Sequence, residues 1–302
     1  MFKRFRRIFV SAVRAAPSAS TQERANSGKY VPSRSNVGFL ICGALIGVIA
    51  FELARPDMRQ IDLTALSLPP RIERPCGTSS GQTAVIVVYG QSNAANYGTS
   101  RYAAREAVDN FDPATGRCFA AVDPLLGTDG SGGNFATRLG DILIQAGRYN
   151  RVILVPIAVE GASLSALNNA YADRIENVIA KLKAAKLVPT HLLFQQGEKD
   201  AMMATTPAQY VSQLHRIVAR FRAAGFEAPF YLSQSTKCDL ADPKNSAAVR
   251  AGQELAIDAT LNIRRGPDTD MIGNDGRNPN DGCHMNETGT LANAALWGAF
   301  IK

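Results

Sequence analysis

The chain has 302 residues, of which 46% are hydrophobic and 20% charged, with 25 Gly and 15 Pro. This composition is typical of a globular protein and excludes a collagen-like, coiled-coil or wholly disordered chain. The net charge of +7 does not predict a nucleic-acid partner, because residues 1–34 carry all of it and the charges of the remainder balance.

The first predicted element is an uncharged, largely apolar run over residues 35–51. As a helix it would be about 25 Å long, slightly short of a ~30 Å hydrocarbon core. We predict a transmembrane signal anchor over 35–54, with the basic tail 1–34 in the cytoplasm and the rest periplasmic or otherwise extracytoplasmic. A cleaved signal peptide and a buried core helix are the alternatives.

A linker follows the apolar run. Residues 55–80 contain four prolines and show no helical or strand period. The sequence therefore predicts a Pro-rich linker over 55–80 and one folded domain over 81–302.

Four of the five cysteines lie beyond the apolar run, an even number in a compartment that we expect to be oxidising. Three pairings are possible. We favour Cys76–Cys118 with Cys238–Cys283, and buried free thiols are the alternative. No Cys or His spacing indicates zinc, so no metal is expected.

Within the domain, apolar runs alternate with amphipathic stretches. The predicted strands are 83–89, 152–158, 191–195 and 229–233, with a strand-like stretch at 271–272. The predicted helices are 134–148, 164–186, 207–224, 245–261 and 287–301. Strands that alternate with helices indicate a three-layer α/β/α sandwich with a mainly parallel, flavodoxin-like sheet.

Small and polar residues follow the predicted strands, at the edge where α/β folds place their sites. These segments are GQSN at 90–93, EGAS at 160–163, QGEKD at 196–200 and DGCH at 281–284. We therefore look for the chemistry of the protein in these four segments.

Only three histidines can serve a serine nucleophile as a base. His215 falls within a predicted helix, and His191 opens a strand at the end away from the polar segments. His284 lies in a polar loop three residues after Asp281, a spacing that can bring a carboxylate to one ring nitrogen and leave the other free.

Three serines compete for the role of nucleophile. Ser79 lies in a GxSxG pattern that precedes a strand, whereas a nucleophile elbow follows one. Ser131 lies in a Gly-rich stretch that is better interpreted as a flexible loop. Ser92 follows a buried strand and precedes a segment capable of forming a helix, so we favour it.

These four ordered segments together resemble the SGNH hydrolase superfamily, and most closely its sialate O-acetylesterase-like and acetylxylan-esterase branch, carbohydrate esterase family 6. The resemblance covers residues 82–302. It implies an SGNH-type esterase domain that removes O-acetyl groups from a carbohydrate and needs no metal or organic cofactor.

The resemblance also implies roles for individual residues. Ser92 would be the nucleophile, His284 the general base and Asp281 its orienting acid. The oxyanion hole would consist of the main-chain N–H groups of Ser92 and Gly161 and the side-chain amide of Gln196. The possible supporting residues are Gln91, Asn93, Glu198 and Asp200.

Other functions fit parts of the same pattern. A membrane-tethered polysaccharide O-acetyltransferase would use the same triad with a sugar acceptor in place of water. A non-catalytic carbohydrate-binding envelope module would be expected to have lost triad residues, which this chain retains. A lipase is less favoured, because residues 111–134 are rich in Gly, Asp and Thr and do not form an apolar lid.

Overall fold

The computed structural model describes residues 68–77 and 81–301 of the chain. Within these ranges, eight strands form one sheet in the order β1-β4-β3-β5-β2-β6-β7-β8. β4 pairs antiparallel with both β1 and β3, and the other neighbours are parallel. The strands are β1 (Glu73–Arg74), β2 (Thr83–Gly90), β3 (Val108–Asp112), β4 (Arg117–Ala120), β5 (Arg151–Pro156), β6 (His191–Gln195), β7 (Phe230–Gln234) and β8 (Ile263–Asp268).

Helices connect most of the parallel strands. They are α1 (Phe135–Gln145), α2 (Leu164–Asn168), α3 (Ala172–Ala184), α4 (Glu198–Met202), α5 (Pro207–Ala223), α6 (Pro243–Leu255) and α7 (Glu287–Phe300). Three short 3₁₀ turns cover Ser92–Ala94, Thr269–Met271 and Asn274–Gly276.

The sheet lies between two hydrophobic cores, as strand β2 illustrates. All eight residues of β2 are buried. Val85 and Val87 pack into a core with residues of α3 and α5, while Ile86 and Val88 pack into a second core with residues of α1 and α7. This arrangement confirms the predicted three-layer sandwich with a mainly parallel sheet.

Strands β3 and β4 were not predicted. β3 has the sequence VDNFD and all of its residues are buried. Its polar side chains have partners that are distant in sequence. The Asn110 side chain donates to the Leu126 carbonyl oxygen and accepts from the Leu126 N–H, and Asp109 forms an ion pair with Arg151. A strand stabilised in this way lacks the apolar pattern from which strands are predicted.

The prediction for the last strand was wrong. Helix α6 ends at Leu255 and not at 261, and strand β8 covers Ile263–Asp268. The stretch predicted as a strand, 271–272, consists of the last residue of a 3₁₀ turn and the residue after it. β8 is an edge strand with exposed Arg264 and Arg265. Exposed charges on an edge strand remove the apolar signal.

The helix predicted over 164–186 is divided into α2 and α3. The Asn168 side chain donates to the Leu164 carbonyl oxygen, and the Asn169 side chain donates to the Ser165 carbonyl oxygen. Short amide side chains that bond to nearby main-chain groups compete with helix continuation.

The described part of the predicted linker 55–80 is fastened to the domain. β1 pairs with β4, and Cys76 forms a disulfide with Cys118. A second disulfide joins Cys238 to Cys283, so the favoured pairing is confirmed.

The predicted tail 1–34 and anchor 35–54 lie outside the described residues. Among the residues that are described, no helix has the length and hydropathy to cross a membrane.

Candidate active site

Ser92 begins a 3₁₀ turn directly after β2, at the C-terminal edge of the parallel strands. Gly90 permits this turn, since its φ is +138° and an added Cβ would lie 1.9 Å from the carbonyl oxygen of Gln195. The Gln91 N–H donates to that same oxygen at 3.1 Å. The helix expected behind Ser92 is only this short turn.

Asp281 and His284 form a hydrogen-bonded pair in the loop before α7. The Asp281 Oδ2 atom lies 2.9 Å from His284 Nδ1, and Oδ1 accepts from the main-chain N–H groups of Cys283 and His284 at 2.9 Å each. Burial alone would raise the pKa of Asp281, but these hydrogen bonds outweigh it and lower the pKa below its ordinary value. Asp281 is therefore a carboxylate at neutral pH, and His284 Nε2 is left for another partner.

Ser92 and this pair line one cavity of about 180 Å³. Gly161 lines it too, and neither the Ser92 nor the Gly161 main-chain N–H donates a hydrogen bond within the described ranges. Two free N–H donors beside a serine can bind a developing oxyanion. The structure thus brings together five of the predicted site residues, because Gln91 lines the same cavity.

The remaining wall of the cavity has mixed character. Met202 and Leu240 are apolar, whereas Glu160 and Lys199 carry opposite charges. A short acyl group has apolar contacts here, and a polar alcohol has groups to which it can bond. The cavity is smaller than the roughly 300–1,000 Å³ of sites for drug-sized ligands.

Tyr97 packs on the His284 imidazole, and its importance was not predicted. The two rings stack with centroids 5.0 Å apart and an interplanar angle of 25°. The pKa of the Tyr97 hydroxyl is raised, mainly by burial and secondly by a hydrogen bond to Glu160, so this group stays protonated. No sequence pattern could identify Tyr97, because it contacts His284 only in the folded chain.

Gln196 is fully buried and does not line the cavity. Its amide nitrogen donates to the Ala162 carbonyl oxygen at 3.2 Å and to Asp200 Oδ2. The amide thus lies beside the Gly161–Ala162 turn, but both of its protons have acceptors in this structure. An oxyanion would have to replace the Ala162 oxygen, so the donor role of Gln196 stays a prediction.

Asp200 holds this region together. Besides Gln196, its carboxylate accepts from the Leu164 N–H at 2.8 Å and from the Thr205 hydroxyl at 2.7 Å. Asp200 therefore connects the start of α2, the turn after β6 and the turn before α5. This geometry supports a positioning role for Asp200, which the resemblance had placed among the supporting residues.

Asn93, Glu198 and Gln91 also connect the turns around Ser92. Asn93 donates to Glu198 Oε1 at 2.7 Å and to the Cys283 carbonyl oxygen at 3.2 Å. Gln91 Oε1 accepts from the main-chain N–H groups of Gly197 and Lys199. All three side chains are buried and hold the turns after β2 and β6 together, and Gln91 also lines the cavity beside Ser92.

Glu198 is 1% exposed and also accepts from the Ser235 hydroxyl at 2.9 Å. Its Oε2 atom has no hydrogen-bond partner within the described residues. Burial raises the pKa of Glu198 despite the hydrogen bond from Asn93.

The other sequence candidates do not join the site. His191 and His215 lie in β6 and α5, and neither lines the cavity. Ser131 lies in a loop, and its carbonyl oxygen accepts from Arg101. Ser79 lies outside the described residues. Across the described ranges, no group of three His, Cys, Asp or Glu side chains could hold a metal ion.

A family model described as carbohydrate esterase, sialic acid-specific acetylesterase, matches residues 82–294. No curated protein matches the chain significantly. The match covers all four polar segments at the strand ends.

Several solved structures are similar to this chain. A protein from Arabidopsis thaliana superposes with a TM-score of 0.59 at 13% sequence identity, covering 73% of this chain and 98% of that one. NanS gives 0.49 at 16% identity over 73% and 95% of the two chains. A carbohydrate acetylesterase from Xanthomonas citri gives 0.45 at 15% identity over 71% and 54%. The first of these likenesses shows a shared fold.

Proposed function

Because the chain belongs to the carbohydrate esterase family of sialic acid-specific acetylesterases, among the SGNH hydrolases, and is therefore a carboxylic ester hydrolase, we propose that it removes O-acetyl groups from a carbohydrate through an acyl-enzyme on Ser92. One observation carries this proposal: Ser92 lines the same small cavity as the hydrogen-bonded pair Asp281–His284.

In the first half of the reaction, Ser92 Oγ attacks the acetyl carbonyl carbon and its proton passes to His284 Nε2. The bond between the carbonyl carbon and the sugar oxygen then breaks. The imidazolium returns the proton to that oxygen, which leaves the sugar as a free alcohol. Asp281 fixes the tautomer of His284 and stabilises the imidazolium.

In the second half, water attacks the acetyl-serine carbonyl and gives a proton to His284 Nε2. The bond to Ser92 Oγ breaks, the serine regains the proton, and acetate leaves. In both halves the negative oxygen of the tetrahedral intermediate would accept from the free N–H groups of Ser92 and Gly161.

The walls of the cavity support a short acyl group. Met202 and Leu240 offer apolar contact over a volume of only about 180 Å³. We therefore propose that acetyl esters react faster than esters of longer acyl chains.

The test is acetate release by the full chain from p-nitrophenyl acetate and from acetylated sugars, with Ser92→Ala as the control. We expect turnover with the wild type and its loss in Ser92→Ala at unchanged melting temperature. Turnover by Ser92→Ala equal to that of the wild type would refute the acyl-enzyme on Ser92. Acetyl transfer to an added sugar in preference to water would indicate the transferase.

We also propose that residues 35–54 anchor the chain in a membrane with the esterase domain on the extracytoplasmic side. The two disulfides of the domain support this, because such bonds persist in oxidising compartments. The test is protease accessibility of the domain in intact and permeabilised cells. Protection that persists until the inner membrane is opened would refute this topology.

A further inference from the structure

Cys283, the residue before His284, contacts three separate parts of the domain. Its main-chain N–H donates to Asp281 Oδ1 at 2.9 Å. Its carbonyl oxygen accepts from Asn93 at 3.2 Å and from Arg277 Nη1 at 2.7 Å. Its side chain forms the disulfide with Cys238. Every bonding group of this residue is therefore engaged.

These contacts lead to the other parts of the proposed site. Asn93 belongs to the same 3₁₀ turn as Ser92. Arg277 is 2% exposed and also donates to the Thr269 carbonyl oxygen, so it ties Cys283 to the end of β8. Cys238 lies on the segment that follows β7 and lines the catalytic cavity with Cys283.

The segment around His284 needs such anchors. Residues 277–286 contain no helix and lack the continuous ladder of a strand. Their main chain is held by an isolated antiparallel bridge between Arg277 and Met285 and by turn hydrogen bonds such as that from the Asn278 N–H to the His284 carbonyl oxygen at 2.8 Å. A catalytic group that is displaced by about 1 Å can lose roughly a hundredfold in rate.

From these contacts we infer that Cys283 is a positioning residue, which holds the His284 imidazole in register with the Ser92 hydroxyl, and that Cys238 is its covalent anchor. This inference rests on the proposed function, because it assigns His284 and Ser92 as base and nucleophile. It adds a link from the Ser92 turn to the residue before His284, through the hydrogen bond between Asn93 and Cys283. The disulfide to Cys238 holds Cys283 in place.

The second disulfide offers a matched control. Cys76–Cys118 spans 42 residues and Cys238–Cys283 spans 45. Disulfides that close loops of similar length restrict the unfolded chain to a similar degree. Neither Cys76 nor Cys118 lines the catalytic cavity. Loss of either disulfide should thus lower stability to a similar degree, whereas only loss of Cys238–Cys283 should affect catalysis.

The experiment compares the full-length wild type with the double variants Cys238→Ser/Cys283→Ser and Cys76→Ser/Cys118→Ser. Competent sites are counted by titration with a p-nitrophenyl phosphonate, and kcat per site and KM are measured with p-nitrophenyl acetate. We expect kcat per site to fall at least about tenfold in the 238/283 variant at similar KM. The 76/118 variant should stay within about twofold of the wild type.

Asn93→Ala provides a second variant, because it removes a donor to the Cys283 carbonyl oxygen without touching either disulfide. The variant loses two hydrogen bonds, to the Cys283 carbonyl oxygen and to Glu198 Oε1. Loss of the first predicts a fall in kcat per site of roughly fivefold with KM unchanged, and Glu198→Ala, which loses the second and keeps the first, is the control. If the 238/283 variant does not fold, this result decides the inference alone.

Two outcomes separate the failures. An active wild type with equal kcat per site in both double variants, or an unchanged kcat per site in Asn93→Ala, overturns the positioning role and leaves the esterase intact. A wild type without Ser92-dependent turnover overturns the proposed function itself.

Discussion

At the scale of single residues, the contacts of Asp281 explain how a short loop can orient the imidazole of the proposed base, His284. One oxygen of Asp281 holds the loop through two main-chain N–H groups, and the other orients His284. Each oxygen thus has its own task, so a substitution can remove one and keep the other.

Asp281→Asn tests this division. The Oδ1 atom of asparagine can still accept from Cys283 and His284, but its amide cannot accept from Nδ1. We expect kcat for p-nitrophenyl acetate to fall by roughly 10³–10⁴, with a melting temperature close to that of the wild type. A kcat within tenfold of the wild type would contradict an orienting role for Asp281.

Gln196→Ala tests the third predicted donor of the oxyanion hole. If the amide binds the oxyanion, kcat should fall by about two to three orders of magnitude with little change in stability. If the amide serves only to join Ala162 and Asp200, the melting temperature should fall while kcat per titrated site stays within a few fold. Urea unfolding and active-site titration of the same samples distinguish the two results.

At the scale of elements, the site is assembled from turns that follow β2, β5, β6 and β7 and from the loop before α7. Glu198 joins three of these turns through Asn93 and Ser235, and it does so from a buried position. Both of these donors use Oε1, so an amide of the same shape keeps their acceptor and removes only the carboxylate charge, whose cost burial raises.

Glu198→Gln should therefore keep kcat within about threefold of the wild type, because the amide oxygen still accepts from Asn93 and Ser235. Glu198→Ala should lower stability, because it leaves Asn93 and Ser235 without an acceptor. The two variants are compared by urea unfolding and by kcat at neutral pH. A large loss of kcat in Glu198→Gln at unchanged stability would show that a charged Glu198 acts in the reaction.

At the scale of the whole molecule, acid stability depends on a buried histidine far from the cavity. His191 is 6% exposed and lies among Tyr149 and Tyr231. Burial, aided by the charge of Arg264, lowers the pKa of His191 from 6.5 to about 4. Between these values the unfolded chain binds a proton that the folded chain does not, so stability falls as pH decreases from 6.5 to 4.

Asp123 acts in the opposite direction. Burial raises its pKa to about 6, against hydrogen bonds from Thr137 and from main-chain N–H groups. The folded chain therefore binds a proton that the unfolded chain lacks between about pH 4 and 6, and this contribution to stability is lost as pH rises. The two effects overlap, so a single pH curve for the wild type cannot separate them.

His191→Phe separates them. The difference in unfolding free energy between this variant and the wild type should shift by about 3 kcal/mol in favour of the variant from pH 6.5 to pH 4. Urea unfolding at several pH values measures it, and Asp123 cancels because both proteins contain it. A difference that is constant with pH would show that His191 does not titrate in this range.

The local features of the sequence determined the central strands, the long helices and the triad candidates. Residues 83–89 could be predicted because a strand buried on both faces is a continuous apolar run. Asp281 and His284 could be predicted as a pair because they are three residues apart, a spacing that brings two side chains together on a turn. Ser92 followed from its place after a buried strand.

Tertiary structure alone decided the rest. Strand β3 is polar and becomes a strand through partners such as Leu126 and Arg151, which no local period reveals. Tyr97 acquires a role only by stacking on His284, almost 190 residues later in the chain. The family resemblance implied an oxyanion-hole role for the Gln196 amide, yet folding gives its protons to Ala162 and Asp200. Side-chain periodicity reports which face of an element is buried, whereas the partner of a polar group depends on which distant turn the packed sheet brings beside it.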